Sequence, residues 1–236
     1  MIDITGKPLA SMYFMQIVWG LRKEPFIGVR PLNHAKEAPT TGAWQFTNAI
    51  DSWSWQGYEG EKAVVEVYAN SASVRLLLNG KEIVNKPVKK YKTLFKLPYQ
   101  PGTLTAEALD ERGNVISSHS LTTAGEETVL RVTPDKMVLC ANNQALCYLP
   151  IEFTDKAGNL KPYMEQRVEV AVAGAATLAG FGSALCKPNE VFDKPYHHSY
   201  RGRCLAVLRA GSTPGKAKVT VTSAGMEPVT IEVEVQ

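Results

Sequence analysis

The chain has 236 residues, of which 44% are hydrophobic and 21% charged, and its formal net charge is +3. These values are typical of a globular protein with room for two domains of ordinary size. A charge this small does not favour a nucleic-acid partner, and no apolar run approaches the roughly 20 residues that span a bilayer. No secretory signal stands at the N-terminus, so either there is none or it lies in a part not present here, and the compartment stays unassigned.

Residues 1–23 differ in pattern from everything that follows. Pro8 suits the first position of a helix, an apolar segment comes next, and Gly20 and Pro25 are stop signals. The pattern predicts a helix of about 3–4 turns. Because this helix is apolar on more than one side, it needs a large surface to pack against, and the rest of the chain does not obviously supply one.

Residues 24–124 predict a first β-sandwich. Residues 26–29 form a short predicted strand, and residues 33–48 a long loop. Asn79-Gly80 is a strong hairpin signal, because both residues tolerate the positive φ of a type I′ turn. Strands with turn signals at a spacing of about 8–12 residues are typical of a sandwich. The alternating apolar positions are Val65 and Val67, then Val74, Leu76 and Leu78, then Phe95 and Leu97, and finally Leu104, Ala106 and Ala108.

Residues 125–236 predict a second, immunoglobulin-like β-sandwich. Apolar alternation resumes at Leu149 to Phe153, and residues 186–200 are expected to form a long loop with two prolines. The turn that begins at Asp155 repeats the Asp-x-x-Gly-Asn pattern that begins at Asp110. The repeat marks either two similar sandwiches or simply a good turn sequence, and we favour the second. The predicted fold class is therefore all-β, with two antiparallel sandwiches in tandem after a short helix.

The cysteines and histidines do not predict a metal site. Cys140, Cys147, Cys186 and Cys204 include no Cys-x-x-Cys pair, so a zinc ribbon is not expected. Free, mostly buried thiols are the favoured interpretation, with one or two disulfides as the alternative. His197-His198 would point to opposite faces of a strand and could not easily share a metal ion.

No catalytic constellation is recognisable either. Asp51, Glu59 and Glu61 flank two tryptophans, but nothing places a second carboxylate opposite the first, as glycoside hydrolysis needs. Solvated turn carboxylates are the favoured interpretation. The chain has no nucleophile elbow, phosphate loop or dinucleotide fingerprint.

Four aromatic residues are the candidates for carbohydrate binding. Sugar rings stack their C–H faces on aromatic rings, and tryptophan offers the largest flat surface. Trp53 and Trp55 would share one face of an extended segment. The competing interpretation, which we favour, is that they pack in the core or dock against a neighbouring domain. The carbohydrate-binding candidates are Trp44, Trp53, Trp55 and Tyr58.

Several of these segments together resemble a known family. The Trp-x-Trp-x-Gly motif at 53–57, the strand Val65 to Asn70 and the block Val74 to Lys81 resemble the region after the catalytic barrel in bacterial glycoside hydrolase family 2 enzymes of the β-galactosidase type. Residues 3–8 and Trp19 look like the last barrel segment of that family, where the chain enters its final helix. The second half resembles the immunoglobulin-like C-terminal domain that many of these enzymes carry.

The resemblance implies a domain assignment for each part of the chain and an activity for its parent. Residues 1–23 would be the helical end of the catalytic barrel, residues 24–124 the first sandwich and residues 125–236 the second. The parent would hydrolyse terminal β-galactosides, or a related β-glycoside, with retention of configuration. Its catalytic glutamates lie on a barrel of about 250 residues, which does not fit here, so no catalytic residue is assigned. The chain is then a non-catalytic accessory region without metal or cofactor, and its partner is the barrel of its own parent.

Two other functions stay open at this point. One is a carbohydrate-binding module that holds β-galactoside oligosaccharides with Trp53 and Trp55. The other is an adhesion or oligomerisation module, since immunoglobulin-like sandwiches often serve that role and the parent could be a homo-oligomer.

Overall fold

The computed structural model describes residues 1–36, 42, 45–185 and 188–236. The chain divides into two compact units, Met1–Ala124 and Gly125–Gln236. The described residues form one helix and sixteen strands, and all but one of the strand pairings are antiparallel. The predicted fold class, tandem β-sandwiches after a short helix, is confirmed.

The first unit holds the helix and two sheets. Strand order is β1-β2-β5 in one sheet and β4-β3-β6-β7 in the other. The elements are α1 (Ala10–Val18), β1 (Phe26–Val29), β2 (Lys62–Tyr68), β3 (Ser73–Leu78), β4 (Lys81–Pro87), β5 (Lys92–Pro98), β6 (Thr103–Leu109) and β7 (Val115–Thr122).

The core of the first unit lies between these sheets. The alternating apolar residues predicted for it are buried there, and Leu78 packs at its margin. Strands β3 and β4 meet at Asn79-Gly80, whose φ angles of 52° and 77° fit the predicted type I′ hairpin. The other face of β2 carries Glu66 and Tyr68, and both are buried as well. Both faces of β2 are therefore shielded from solvent.

Helix α1 contributes part of that cover. It is shorter than predicted, with nine residues, and it buries Ala10 and Ile17 in a small cluster with Phe26 and Tyr68. The Tyr13 ring stacks on Phe26 with centroids 4.3 Å apart. The expectation that the chain offers this helix no obvious surface was wrong, because aromatic residues of β1 and β2 project from the sheet face that lies away from the main core.

The second unit is a sandwich of a four-stranded and a five-stranded sheet. Strand order is β12-β14-β10-β8 in one and β13-β11-β15-β16-β9 in the other. The strands are β8 (Val129–Val132), β9 (Val138–Leu139), β10 (Leu146–Thr154), β11 (Arg167–Gly174), β12 (Ala176–Gly182), β13 (Tyr196–His198), β14 (Arg203–Ala210), β15 (Gly215–Ser223) and β16 (Val229–Val235).

The core of the second unit follows the predicted alternation. Leu149, Ile151 and Phe153 are fully buried on β10. Residues 186–200 were predicted as one long loop, but they contain the short strand β13. This strand pairs with β11. At the other edge, β16 lies between β15 and β9, and the main chain of Gln236 bonds to Leu139 and Ala141 over 2.9 and 2.8 Å.

The two Asp-x-x-Gly-Asn turns have the same hydrogen bonds. In each, the aspartate carboxylate accepts from the backbone N–H and the side-chain amide of the asparagine four residues on, over 2.8–3.0 Å. The glycines, Gly113 and Gly158, have φ angles of 82° and 90°. Each turn is closed locally around a positive-φ glycine, as expected of a good turn sequence, and Asp155 also accepts from the backbone N–H of Gly125 over 2.8 Å.

Candidate functional site

Trp53 and Trp55 lie inside the first unit with no exposed surface. Trp53 donates its Nε1–H to the carbonyl of Gln100 over 3.0 Å, and its ring meets Tyr99 edge to face at 4.9 Å. The backbone N–H of Trp55 donates to the Tyr99 hydroxyl over 3.0 Å. The pair therefore fastens residues 53–55 to the sandwich core.

This placement favours the core interpretation of the two tryptophans over the carbohydrate-binding one. A ring with no exposed face cannot stack on a sugar in this conformation, whereas the competing core interpretation fits. Tyr58 is half-buried against the same core. Trp44 lies outside the described residues.

Tyr58 borders a cavity of about 510 Å³. Its other walls come from residues 32–36, Gly57, Glu61 and Lys62. One aromatic ring is present there instead of the predicted tryptophan pair, so carbohydrate binding at Tyr58 stays a prediction.

The carboxylates beside the tryptophans are exposed. Asp51, Glu59 and Glu61 all face solvent. Glu59 folds back to accept the backbone N–H of Gly57 over 3.0 and 3.2 Å, which closes a turn. This geometry fits solvated turn carboxylates better than an acid/base pair across a cleft.

Glu66 carries a buried charge that four side chains hold in place. Its carboxylate is fully buried and accepts from Arg30 over 2.8 Å, Lys92 over 2.6 Å, the Tyr68 hydroxyl over 2.8 Å and the Thr47 hydroxyl over 3.0 Å. These donors come from β2, from β5, from the residue just after β1 and from the segment that leads into β2. One carboxylate thus ties together four stretches of chain, and we name it with its donors the Glu66 cluster.

The surroundings keep Glu66 ionised. Burial alone raises its pKa, but the hydrogen bonds and charge of Lys92, with the Tyr68 and Arg30 contacts, outweigh burial and lower the pKa below 4.5. Burial and the Glu66 charge in turn raise the pKa of Tyr68. An ionised carboxylate enclosed by donors has no proton to give and no access to a substrate, so the cluster is structural. The cluster was not predicted from the sequence, where its only signal is a glutamate within a valine-rich strand.

His197 and His198 diverge as their strand geometry predicts. His197 is buried and stacks on Phe192, whereas His198 is exposed. Both approach Glu190, with nitrogen–oxygen distances of 3.3 and 2.8 Å. Within the described ranges, no group of three or more His, Cys, Asp or Glu side chains could hold a metal ion.

The three described cysteines carry free thiols. Cys147 and Cys204 are buried, and Cys140 is exposed. Cys186 falls outside the described residues, so its state remains a prediction. No helix in the described part of the chain is long and apolar enough to cross a membrane.

Two families match this chain along separate stretches. Glycoside hydrolase family 2 C-terminal domain 5 matches residues 130–232. A domain of unknown function, DUF4982, matches residues 60–117. The chain is similar to the C-terminal region of family 2 glycoside hydrolases.

Known relatives extend the family 2 match beyond these stretches. The chain is 29% identical over 195 residues to Beta-galactosidase BoGH2A of Bacteroides ovatus, which covers 81% of this chain and 23% of that enzyme. A crystal structure of a glycosyl hydrolase family 2 member from Bacteroides cellulosilyticus matches all of this chain and 31% of its own, with a TM-score of 0.87 and 26% identity. The chain therefore spans about a quarter to a third of the length of these relatives.

The fold is shared more widely than the sequence. A β-glycosidase from Bacteroides vulgatus superposes with a TM-score of 0.76 at 22% identity, over 99% of this chain and 27% of its own. At this identity the likeness concerns the fold alone.

Proposed function

We propose that this chain is a non-catalytic accessory region that docks on and stabilises the catalytic barrel of a family 2 enzyme. The parent would be a retaining β-galactosidase or a related β-glycosidase, with both catalytic carboxylates on the barrel. The match to 23% of a β-galactosidase supports this assignment.

The observation that carries the proposal is the exposed apolar surface of the first 21 residues. Trp19 and Leu21, just after α1, are 61% and 74% exposed. Ile2 and Ile4, before α1, are 58% and 64% exposed. Large apolar side chains concentrated at both ends of one short helix mark a surface that a partner covers. The resemblance of residues 3–8 and Trp19 to the end of a family 2 barrel makes that barrel the partner.

The first experiment measures hydrolysis by the purified 236-residue chain. We expect no turnover of 4-nitrophenyl β-galactoside above the uncatalysed rate, because both catalytic carboxylates would lie elsewhere. Turnover that co-purifies with the chain would contradict the proposal.

The second experiment tests the docking surface in a chimaera. This chain replaces the corresponding part of Beta-galactosidase BoGH2A, and Trp19→Asp is combined with Leu21→Asp. We expect the double variant to lower the melting temperature of the chimaera by several degrees and to leave that of the isolated chain unchanged, because a buried charge destabilises only where a partner covers it.

The matched control is Met137→Asp with Val191→Asp, two exposed apolar residues of the second unit. This pair should leave both proteins unaffected. If the Trp19 and Leu21 changes destabilised the chimaera and the isolated chain equally, these residues would stabilise the first unit itself and not its contact with the barrel. Light scattering on the chain and on the parent tests the separate prediction of a homo-oligomer.

A further inference from the structure

An open cleft lies on the outer side of the first unit, between α1 and the turn that connects β4 to β5. Its volume is about 590 Å³, within the range of small-molecule sites. Phe14 and Phe46 form an aromatic wall, and their rings meet edge to face at 5.1 Å. The remaining lining residues are Lys86, Pro87, Lys89, Lys90, Lys92, Thr93 and Leu94.

The cleft carries an excess of positive charge. Lys92 pairs with buried Glu66, and Lys86 donates to the carbonyl of Leu94 over 2.9 Å. Lys89 and Lys90 are exposed and have no ion-pair partner among the described residues. Arg30 pairs with the same Glu66 carboxylate, so the ion-paired group that includes Lys92 has a net positive charge.

The turn that connects β4 to β5 carries two of these lysines and has an unusual backbone. Lys90 and Tyr91 have φ angles of 51° and 62°. Turns that need two successive positive φ values normally use asparagine or glycine, and a bulky aromatic residue there is an outlier. Strained backbone of this kind is concentrated at binding and switch sites, which suggests a role beyond turning the chain. Here the turn projects two unpaired lysines from the rim of an aromatic cleft.

We propose that this cleft binds an anionic saccharide, a sugar ring that bears a carboxylate or a sulfate group. The aromatic wall suits the apolar C–H face of the ring, and Lys89 and Lys90 suit its anionic substituent. A concave site of this size favours a small ligand over a flat membrane surface. The proposal rests on the cleft itself and does not depend on the proposed function.

The test is isothermal titration of the 236-residue chain with matched probes. Trigalacturonic acid represents a carboxylate-bearing saccharide and 3′-sulfated lactose a sulfate-bearing one, with galactotriose and lactose as their neutral counterparts. We expect at least one anionic probe to bind, its neutral counterpart to show no binding, and the affinity to fall as salt rises.

The variants remove charge and aromatic surface separately. Lys89→Gln combined with Lys90→Gln should weaken binding about tenfold. Phe46→Leu should weaken it about threefold to tenfold through lost stacking. The control is Lys136→Gln combined with Lys218→Gln, which makes the same charge change at exposed positions of the second unit and should leave binding unchanged. Circular dichroism and thermal melting establish that every variant is folded.

Several outcomes would overturn the proposal. Absence of binding by both anionic probes is one, and equal binding of the neutral sugars is another. If the control lost as much affinity as the Lys89 and Lys90 variant, the effect would come from the net charge of the protein and not from the cleft. Binding of an acidic peptide such as hexa-aspartate, with neither saccharide bound, would assign the cleft to a protein partner instead.

Discussion

We expect Glu66 to contribute to the acid sensitivity of the first unit. Its pKa lies below 4.5 in the folded chain, because the donors of the Glu66 cluster outweigh the opposing effect of burial. Near pH 4 the unfolded state therefore binds more protons at this site than the folded state does, and stability rises with pH there. The contribution is complete well above pH 4.5 and is lost as pH falls through the lowered folded-state pKa.

The substitution Glu66→Gln should lower the free energy of unfolding of the first unit by about 3 kcal/mol at pH 7, because Lys92 and Arg30 lose their buried counter-charge. It should also flatten the loss of stability between pH 5 and 3. Urea unfolding followed by tryptophan fluorescence measures both effects, since all four tryptophans belong to the first unit. Glu61→Gln, at an exposed position, serves as the control. If the unfolding free energy of Glu66→Gln fell with pH as steeply as that of the original chain, Glu66 would not be responsible for the acid sensitivity.

The cysteines should differ sharply in reactivity. Burial raises the pKa of the Cys147 thiol to about 11, and burial also raises that of Cys204, so neither forms thiolate readily. In a Cys186→Ser background we expect one thiol, that of exposed Cys140, to react quickly with Ellman's reagent. Adding Cys140→Ser should abolish the fast phase, and a fast phase that persists would show that a buried thiol is accessible.

At the level of elements, the strands were predictable and the covered outer face was not. Alternation around Val65, Leu76 and Ile151 reports one buried face, and these residues lie in the cores as predicted. Alternation cannot report a second buried face, which is why Glu66 and Tyr68 were missed. Strand β13 was missed because it has three residues, too few for periodicity to register.

Helix α1 should be held by its buried face even in the isolated chain. Ile17 is almost fully buried in the aromatic cluster, so Ile17→Ala should loosen the docking of α1 on β1 and β2. We expect faster amide exchange across residues 10–18, with exchange in the second unit unchanged. Gln16→Ala, on the same helix but outside that cluster, is the control. Exchange at 10–18 as fast in the original chain as in Ile17→Ala would contradict stable docking.

At the scale of the whole molecule, each unit has a core of its own. Trp53 and Phe95 belong to the first core, and Phe153 and Val219 to the second. Separate cores allow separate unfolding. The sequence indicated this division through the change of pattern near residue 124, whereas the family assignment needed the resemblance of whole segments, because no catalytic motif is present to be read.

The substitution Phe153→Ala should therefore destabilise one unit only. Loss of this buried ring costs about 3–5 kcal/mol, which should shift the circular dichroism transition of the second unit to lower urea. The tryptophan fluorescence transition should stay where it was, because the second unit contains no tryptophan. Trp53→Phe, in the first core, is the reciprocal variant. A shift of both signals by Phe153→Ala would show that the two units unfold as one.

Strand β16 decides how far this chain tolerates shortening at its carboxyl end. It runs between β15 and β9, so deleting residues 229–236 would remove one of the two neighbours of β15 and expose a row of unpaired N–H and C=O groups along that edge. Such an open margin recruits strands from other copies and leads to aggregation. A recombinant version of the chain should therefore keep all residues up to Gln236 and carry any affinity tag on a flexible linker. In this way β16 stays paired with β15 and β9.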